Sequence, residues 1–151
     1  MVALVLVGHS LELLHGLRAM LAQAAPGLLV GVAGGTDAGA LGTSAPLILD
    51  AVRSVLAASP EGAVVLLDLG SAALALELAL EDLEPSQRAV VRVSRGALVE
   101  GAIRAAVEAS GGGSLASVVS ASETPAGRDK LPDDWPVDGA VPGGIAERPG
   151  R

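Results

Sequence analysis

The chain has 151 residues, of which 50% are hydrophobic, and a formal net charge of −7. That length and composition suffice for one domain with a substantial core, whereas the acidic balance argues against binding to nucleic acid or to an anionic membrane surface. The sequence contains no cysteine, which excludes disulfides, thiolate chemistry and cysteine metal sites and fits a cytoplasmic protein. Its N-terminal apolar run covers only residues 2–7, far fewer than the roughly 20 needed to span a membrane.

Short apolar runs alternate with longer segments whose apolar residues recur at helical spacing. The predicted strands are residues 2–7, 28–33, 63–69 and 89–93, and the predicted helices are residues 11–24, 43–58, 71–83 and 98–109. This alternation predicts an α/β fold with a doubly wound, mainly parallel sheet of four to five strands and helices on both faces.

The C-terminal part of the chain has a different composition. Residues 114–120 follow a run of three glycines and are compatible with a short extra strand or helix. From Glu123 onward, Pro, Gly and acidic residues dominate, a composition that cannot bury a core. We therefore predict a domain over residues 1–122 and a disordered tail over residues 123–151.

A histidine follows the first predicted strand directly. His9 lies between Gly8 and Ser10, and Ser10 is predicted to be the N-cap of the first helix. Ligands of open α/β sheets bind beyond the carboxyl ends of the strands, where helix N-termini favour anions. The position of His9 therefore suits an imidazole that carries a phosphoryl group.

A carboxylate follows the third predicted strand. The first and third strands of a doubly wound sheet are usually neighbours, so Asp68 can face His9. A carboxylate that accepts the proton of one imidazole nitrogen leaves the other nitrogen as a nucleophile. Gly70 and Ser71 open the third helix, and their amides and hydroxyl are suited to holding phosphate oxygens.

The second helix is predicted to begin beside the same crevice. Its start, at Gly42, Thr43 and Ser44, would make three helix N-termini converge on one small anion. His9 and His15 are the only histidines, and no carboxylates show the spacing of metal ligands. We therefore expect neither a metal ion nor another cofactor.

Each candidate residue also has a structural interpretation. His9 could be a satisfied polar residue at a strand end, and Asp68 could be the N-cap of the third helix. Thr43, Ser44 and Ser71 are equally compatible with ordinary helix caps, and His15 is interpreted as structural or solvent-facing. No dinucleotide-binding or P-loop glycine pattern follows the first strand.

Four short motifs occur in order along residues 1–120. They are VLVGHS at residues 5–10, the glycines at 34–35 leading to LGT at 41–43, LLDLGSA at 66–72, and LVEG at 98–101. Together they resemble the phosphotransfer subunits of phosphoenolpyruvate-dependent dihydroxyacetone kinases, whose core is a mannose-type IIA domain. The LLDLGSA segment is the most diagnostic of the four.

The resemblance implies a function for the crevice. His9 matches the histidine that accepts a phosphoryl group from the histidine-containing phosphocarrier protein, and Asp68 matches the residue that orients it. The phosphoryl group then passes to ADP bound on the nucleotide-binding subunit of dihydroxyacetone kinase. Family members also form homodimers. Four further residues are expected around the phosphate: Ser10, Thr43, Gly70 and Ser71.

Two departures from the family pattern lie at helix starts. Ala97 stands where members often have proline, and Ser44 stands where some have aspartate. Some family members fuse this domain to further carrier domains. No segment of that size follows here, so we expect the donor to be a separate protein.

Two other functions remain open. One is a IIA component of a mannose-family sugar transporter, which donates to a IIB domain, and the other is a non-enzymatic anion-binding regulatory domain.

Overall fold

A computed structural model describes residues 1–125 together with Lys130 and Trp135. Most of the predicted tail, and with it the expected disorder, lies outside these residues. Within the described part of the chain, no helix is both long enough and apolar enough to cross a bilayer.

The described residues form one parallel sheet flanked by helices. The strands are β1 (Ala3–Gly8), β2 (Val30–Gly34), β3 (Ala63–Leu67) and β4 (Val91–Val93). The helices are α1 (Leu11–Ala24), α2 (Ala45–Ala58), α3 (Ala72–Glu81), α4 (Pro85–Arg88), α5 (Leu98–Ser110) and α6 (Leu115–Glu123). The strand order is β2-β1-β3-β4, and each neighbouring pair is parallel. The predicted α/β fold is therefore confirmed, with four strands in the described part of the chain.

The sheet separates two apolar cores, because successive side chains of a strand point to opposite faces. In β1, Leu4 and Leu6 pack on the face covered by α1, α5 and α6. Val5 and Val7 pack on the opposite face, which α2 and α3 cover. All six residues of β1 are buried, so the strand that leads to His9 is fixed from both sides.

Three of the four strands, β2, β3 and β4, are shorter than the apolar runs that predicted them, whereas β1 has the predicted length and is shifted by one residue. β3 ends at Leu67 rather than at residue 69, because the chain turns where the Asp68 carboxylate accepts a hydrogen bond from the Leu69 amide. β4 begins at Val91 rather than at residue 89, because the amides of Ala89 and Val90 bond back to the preceding helical turn. Hydrophobicity alone does not distinguish these turn residues from the strands.

The helices differ from prediction at a few points. α2 begins at Ala45 rather than Thr43, with Ser44 as its N-cap. Residues 114–120, which could have formed a strand, belong to the helix α6. The short helix α4 was not predicted, although Glu84 and Gln87 form a capping box around Pro85 and mark its start.

The last helix packs closely against the start of α5. Ser122, in α6, is buried, and its hydroxyl lies 2.7 Å from the Ser94 hydroxyl in the loop that follows β4. A Cβ atom built on Gly96 would overlap the carbonyl oxygen of Ser122, and one built on Gly101 would lie 2.7 Å from it. Glycine at these positions therefore allows α6 to cover the sheet.

We expect the substitution Gly96→Ala to lower the free energy of unfolding by about 1–3 kcal/mol, because the added methyl group must displace the backbone of α6. Gly16→Ala is the matched control, since nothing lies within 4 Å of a Cβ at this exposed site in α1. The control should stabilise the fold by roughly 0.5–1 kcal/mol. Urea unfolding measures both values, and equal effects of the two substitutions would contradict the packing argument.

Candidate functional site

The site begins where β1 and β3 end side by side. Val7 pairs with Leu67 in the sheet, and the Asp68 amide donates to the Val7 carbonyl at 3.1 Å. Gly8 separates Val7 from His9 and is buried; a Cβ there would lie 2.8 Å from the Asp68 carboxylate. A glycine before the histidine therefore leaves room for Asp68 to reach across.

Asp68 holds both the backbone and the ring of His9. The His9 amide donates to Asp68 Oδ2 at 2.8 Å, and His9 Nδ1 lies 3.1 Å from each carboxylate oxygen. The side chain of Asp68 is 11% exposed and that of His9 is 28% exposed. The chain thus positions the imidazole through two contacts with one carboxylate.

The hydrogen bonds keep the Asp68 carboxylate ionised. Burial, the largest single influence, would raise the pKa of Asp68, but hydrogen bonds from the His9 amide, the His9 ring and the Leu69 amide lower it. Together these bonds outweigh burial, so the pKa of Asp68 lies below its ordinary value of 3.8. An ionised carboxylate is an acceptor only, so His9 Nδ1 carries the proton that it shares with Asp68.

The other ring nitrogen of His9 faces the start of α3. His9 Nε2 lies 3.1 Å from Ser71 Oγ. Ser71 is the N-cap residue of α3, yet its side chain makes no capping hydrogen bond. The space beside Gly70 is open, since nothing lies within 4 Å of a Cβ built on it. Nε2 therefore points to an open helix N-terminus with a hydroxyl beside it.

The loop between β2 and α2 supports His9 from the opposite side. The Gly42 amide donates to the His9 carbonyl at 3.0 Å, and the Gly42 φ of 143° suits glycine. Within this loop the Ser44 hydroxyl donates to Asp37, while Ser44 Oγ also accepts from the Leu47 amide and caps α2. The loop is therefore tied both to its own helix and to the histidine.

The structure brings some of the sequence-predicted residues together more closely than others. Asp68 and Ser71 contact the His9 ring directly. The Ser10 hydroxyl accepts from the Leu13 amide at 3.3 Å, as predicted for the N-cap of α1. Thr43 is half-buried beside Gly42, and in residues 1–125 no hydrogen bond joins its side chain to His9. Asp68 does not cap α3, so that alternative interpretation is wrong.

Sequence reasoning missed how two glycines shape the site. It named Gly8 only as the neighbour of His9 and Gly42 only as part of the start of the second helix, whereas Gly8 leaves room for Asp68 and the Gly42 amide bonds to the His9 carbonyl. The signal for Gly8 was its position between a strand and a candidate catalytic histidine. In the described part of the chain, no group of three or more His, Cys, Asp or Glu residues is arranged to hold a metal ion.

Comparison with known proteins identifies the family that the chain matches. Residues 3–119 match the family EIIA-man, described as the PTS system fructose IIA component. A solved crystal structure of a protein of unknown function superposes with a TM-score of 0.71 and 29% identity, covering 82% of this chain and 95% of that one.

Curated relatives share one name. One is the PEP-dependent dihydroxyacetone kinase, phosphoryl donor subunit DhaM, of Klebsiella michiganensis. It is 36% identical to this chain over 123 residues, which make up 79% of this chain, and the Escherichia coli K12 protein of the same name has the same identity and coverage. The chain spans only 26% of the length of these two relatives. The phosphoryl donor subunit DhaM of dihydroxyacetone kinase 2 from Listeria innocua is 35% identical, with 72% of this chain and 86% of the relative covered.

The family match covers residues 3–119, which is most of the chain, and the parallel α/β fold is consistent with it. The chain belongs to the EIIA-man family, the mannose-type IIA domains of the phosphotransferase system.

Proposed function

We propose that the chain is a phosphohistidine carrier. In this proposal His9 accepts a phosphoryl group from the histidine-containing phosphocarrier protein and passes it to ADP bound on the nucleotide-binding subunit of dihydroxyacetone kinase. The observation that carries the proposal is the orientation of His9, whose Nδ1 is held by Asp68 while Nε2 faces the open start of α3. The names of the DhaM relatives support the kinase as the acceptor system.

The hydrogen-bond pattern supports Nε2 as the nucleophile of this proposal. Asp68 keeps the proton on Nδ1, which leaves the lone pair of His9 on Nε2. The bond between Nε2 and phosphorus forms while the nitrogen–phosphorus bond of the donor breaks, and no proton needs to move. The ring becomes positively charged in this step, and the ionised Asp68 stabilises that charge.

The start of α3 would hold the phosphoryl oxygens. Phosphoryl transfer passes through a loose transition state, for which catalysis depends on positioning and on hydrogen-bond donors for the equatorial oxygens. The Ser71 hydroxyl and the backbone amides of Gly70 and Ser71 would supply such donors beside Nε2. We assign Thr43 and Ser10, at the starts of the neighbouring helices, supporting contacts to the same phosphate.

The proposed role implies where the partner proteins act, which metabolism they serve and in which oligomeric state the chain works. The donor and the acceptor subunit would be cytoplasmic proteins, and the relay would serve dihydroxyacetone and thus glycerol metabolism. We also propose a homodimer, as the resemblance to the family implies. Leu74 and Leu78, which are 68% and 51% exposed on α3, would suit such an interface.

The second candidate function is that of a IIA component in a sugar transporter. The family description names the fructose IIA component, which favours this alternative over a purely regulatory domain. The chemistry at His9 would be the same in both cases, and only the acceptor would differ.

We expect His9→Ala to abolish phosphoryl acceptance, because His9 Nε2 is the proposed nucleophile. The matched control is His15→Ala, which removes the exposed histidine of α1 and should leave acceptance unchanged. Intact-mass measurement after incubation with phosphoenolpyruvate, enzyme I and the phosphocarrier protein reports the gain of one acid-labile phosphoryl group. Equal labelling of His9→Ala and the parent would exclude His9 as the carrier.

We expect Asp68→Asn to slow phosphoryl acceptance by on the order of 10²–10⁴-fold, because an amide no longer fixes the Nδ1 proton or stabilises the charged ring. Single-turnover labelling measures this loss, and Glu77→Gln, at an exposed carboxylate of α3, is the control.

The same variant tests the lowered pKa of Asp68. Because the folded-state pKa lies below the ordinary value of 3.8, the ionised carboxylate stabilises the fold above about pH 4, and this contribution is lost as the pH falls through the folded-state pKa. The difference in free energy of unfolding between parent and Asp68→Asn should therefore shrink on acidification. A difference that stays constant from pH 7 to pH 3 would contradict the assignment.

We expect phosphorylated protein to lose its phosphoryl group to the ADP-loaded kinase subunit faster than to a mannose-type IIB domain. Parallel incubations with the two purified acceptors, followed by intact mass, make the comparison. Faster loss to the IIB domain would transfer the assignment to the sugar transporter and leave the role of His9 unchanged.

A further inference from the structure

We propose that Asp37 is a positioning residue for the reaction at His9, and that it acts through the Ser44 hydroxyl rather than by touching the phosphoryl group. The Ser44 hydroxyl donates to Asp37 Oδ1, which joins the loop that follows β2 to the first turn of α2. We call this contact the loop tie. The role rests on the proposed function and belongs to a side chain whose hydrogen bond, within the described residues, goes to Ser44.

The loop after β2 holds the main chain at His9 through two backbone amides. The Gly35 amide donates to the Gly8 carbonyl at 3.2 Å, and the Gly42 amide donates to the His9 carbonyl at 3.0 Å. The Asp68 carboxylate holds the other side of this main chain, since it accepts the His9 amide. The position of the imidazole therefore depends on where the loop places its two amides.

The first half of the loop closes on itself without the Asp37 side chain. The Thr36 amide donates to the Ala40 carbonyl at 2.9 Å, and the Ala40 amide donates to Thr36 Oγ1 at 3.1 Å. Gly39, with a φ of 80°, lies in the same turn, and its amide donates to the Thr36 carbonyl. Residues 36–40 are therefore a small closed turn that contains Asp37.

The second half of the loop, residues 41–43, connects that turn to α2 and carries the amide that holds His9. Gly42 has a φ of 143°, a conformation that suits glycine, but glycine loses more conformational freedom on ordering than any other residue. The loop tie closes this segment at both ends, because Asp37 belongs to the turn and Ser44 to the helix start. We infer that the tie restricts Gly42 and keeps its amide on the His9 carbonyl.

Capping of α2 does not require Asp37. Ser44 Oγ accepts from the Leu47 amide at 3.3 Å through a lone pair, whereas Asp37 accepts the proton of the same hydroxyl. Ser44 is 8% exposed, while Asp37 is exposed on the loop. Removal of the Asp37 carboxylate should therefore leave the cap in place and loosen the loop.

A looser loop should slow the reaction because phosphoryl transfer depends on in-line positioning. His9 Nε2 must lie in line with the bond that breaks in the donor, and a displacement of about 1 Å can lower a rate by on the order of 10²-fold. The loop tie acts on the His9 carbonyl through Gly42 and does not touch the ring. We therefore expect a smaller loss of rate than for a substitution of Asp68.

The primary test compares Asp37→Ala with Asp37→Asn in single-turnover phosphoryl acceptance. We expect Asp37→Ala to be about five- to tenfold slower than the parent at saturating donor, with the donor concentration for half-maximal rate unchanged, because the ring is misplaced while the donor still binds. The amide oxygen in Asp37→Asn still accepts the Ser44 hydroxyl, so its rate should stay within about twofold of the parent. Asp50→Ala, which removes an exposed carboxylate of α2, is the matched control.

Two phosphoryl donors separate positioning from docking. The phosphocarrier protein and phosphoramidate, a small donor that needs no docking surface, should both react more slowly with Asp37→Ala. Loss with the carrier protein alone would overturn the proposal, because Asp37 would then be a donor contact. Equal losses in Asp37→Ala and Asp37→Asn would overturn it too, because the charge and not the hydrogen bond would matter.

The same assay keeps the two proposals apart. A rate for Asp37→Ala equal to that of the parent would overturn the positioning role and leave the carrier function intact. Failure of the parent protein to accept phosphate from either donor would overturn the proposed function itself.

Hydrogen exchange followed by NMR tests the physical cause. The Gly42 amide should exchange about tenfold faster in Asp37→Ala, because its bond to the His9 carbonyl opens more often. The Leu47 amide, which the Ser44 cap protects, should exchange as in the parent. An unchanged rate at Gly42, or faster exchange at Leu47 alone, would overturn the loop tie as the route to His9.

An exchange of the two partners provides a variant that keeps both the contact and the cap. Asp37→Ser combined with Ser44→Asp moves the carboxylate to the N-cap of α2, where aspartate caps about as well as serine. Ser44→Asp alone brings two carboxylates together and should accept phosphate more slowly than this double variant. A double variant no faster than Ser44→Asp would contradict the loop tie, whereas recovery would support it.

Discussion

The arrangement of the site depends on the contact between Asp68 and His9 across two neighbouring strands. The carboxylate accepts the His9 amide and lies against Nδ1, so it fixes the main chain and the ring at once. This contact requires β1 and β3 to be adjacent and requires a glycine before the histidine. Burial of β1 on both faces makes the support rigid, and the remaining nitrogen is directed to the start of α3.

The chemistry around His9 suits a carrier that must also release its phosphoryl group. Backbone amides, a hydroxyl and one partly buried carboxylate surround the ring, and within the described residues no basic side chain bonds to His9, Asp68 or Ser71. Donors of this kind orient a phosphoryl group without the strong attraction of a nearby cation. The proposed mechanism therefore depends on hydrogen-bond donors at the start of α3 together with the ionised Asp68 behind the ring.

Much of the fold was predictable because local patterns agreed with one another. The apolar runs and helical spacing identified the four strands and the main helices, and α1 matches its predicted bounds. Apart from the missed helix α4, the errors lie at the ends of elements, such as Leu69 and Ala89, where an apolar residue belongs to a turn. Their conformations are set by hydrogen bonds that hydrophobicity does not encode.

The sequence by itself determined that His9 follows a buried strand and that an aspartate and a helix start follow the third one, since these are facts of order and hydrophobic pattern. Tertiary structure decided what no spacing reveals: which imidazole nitrogen Asp68 contacts, and that Ser71 turns to the ring instead of capping its helix. The physical reason is that hydrogen-bond geometry and exposure depend on which loops the sheet order brings together.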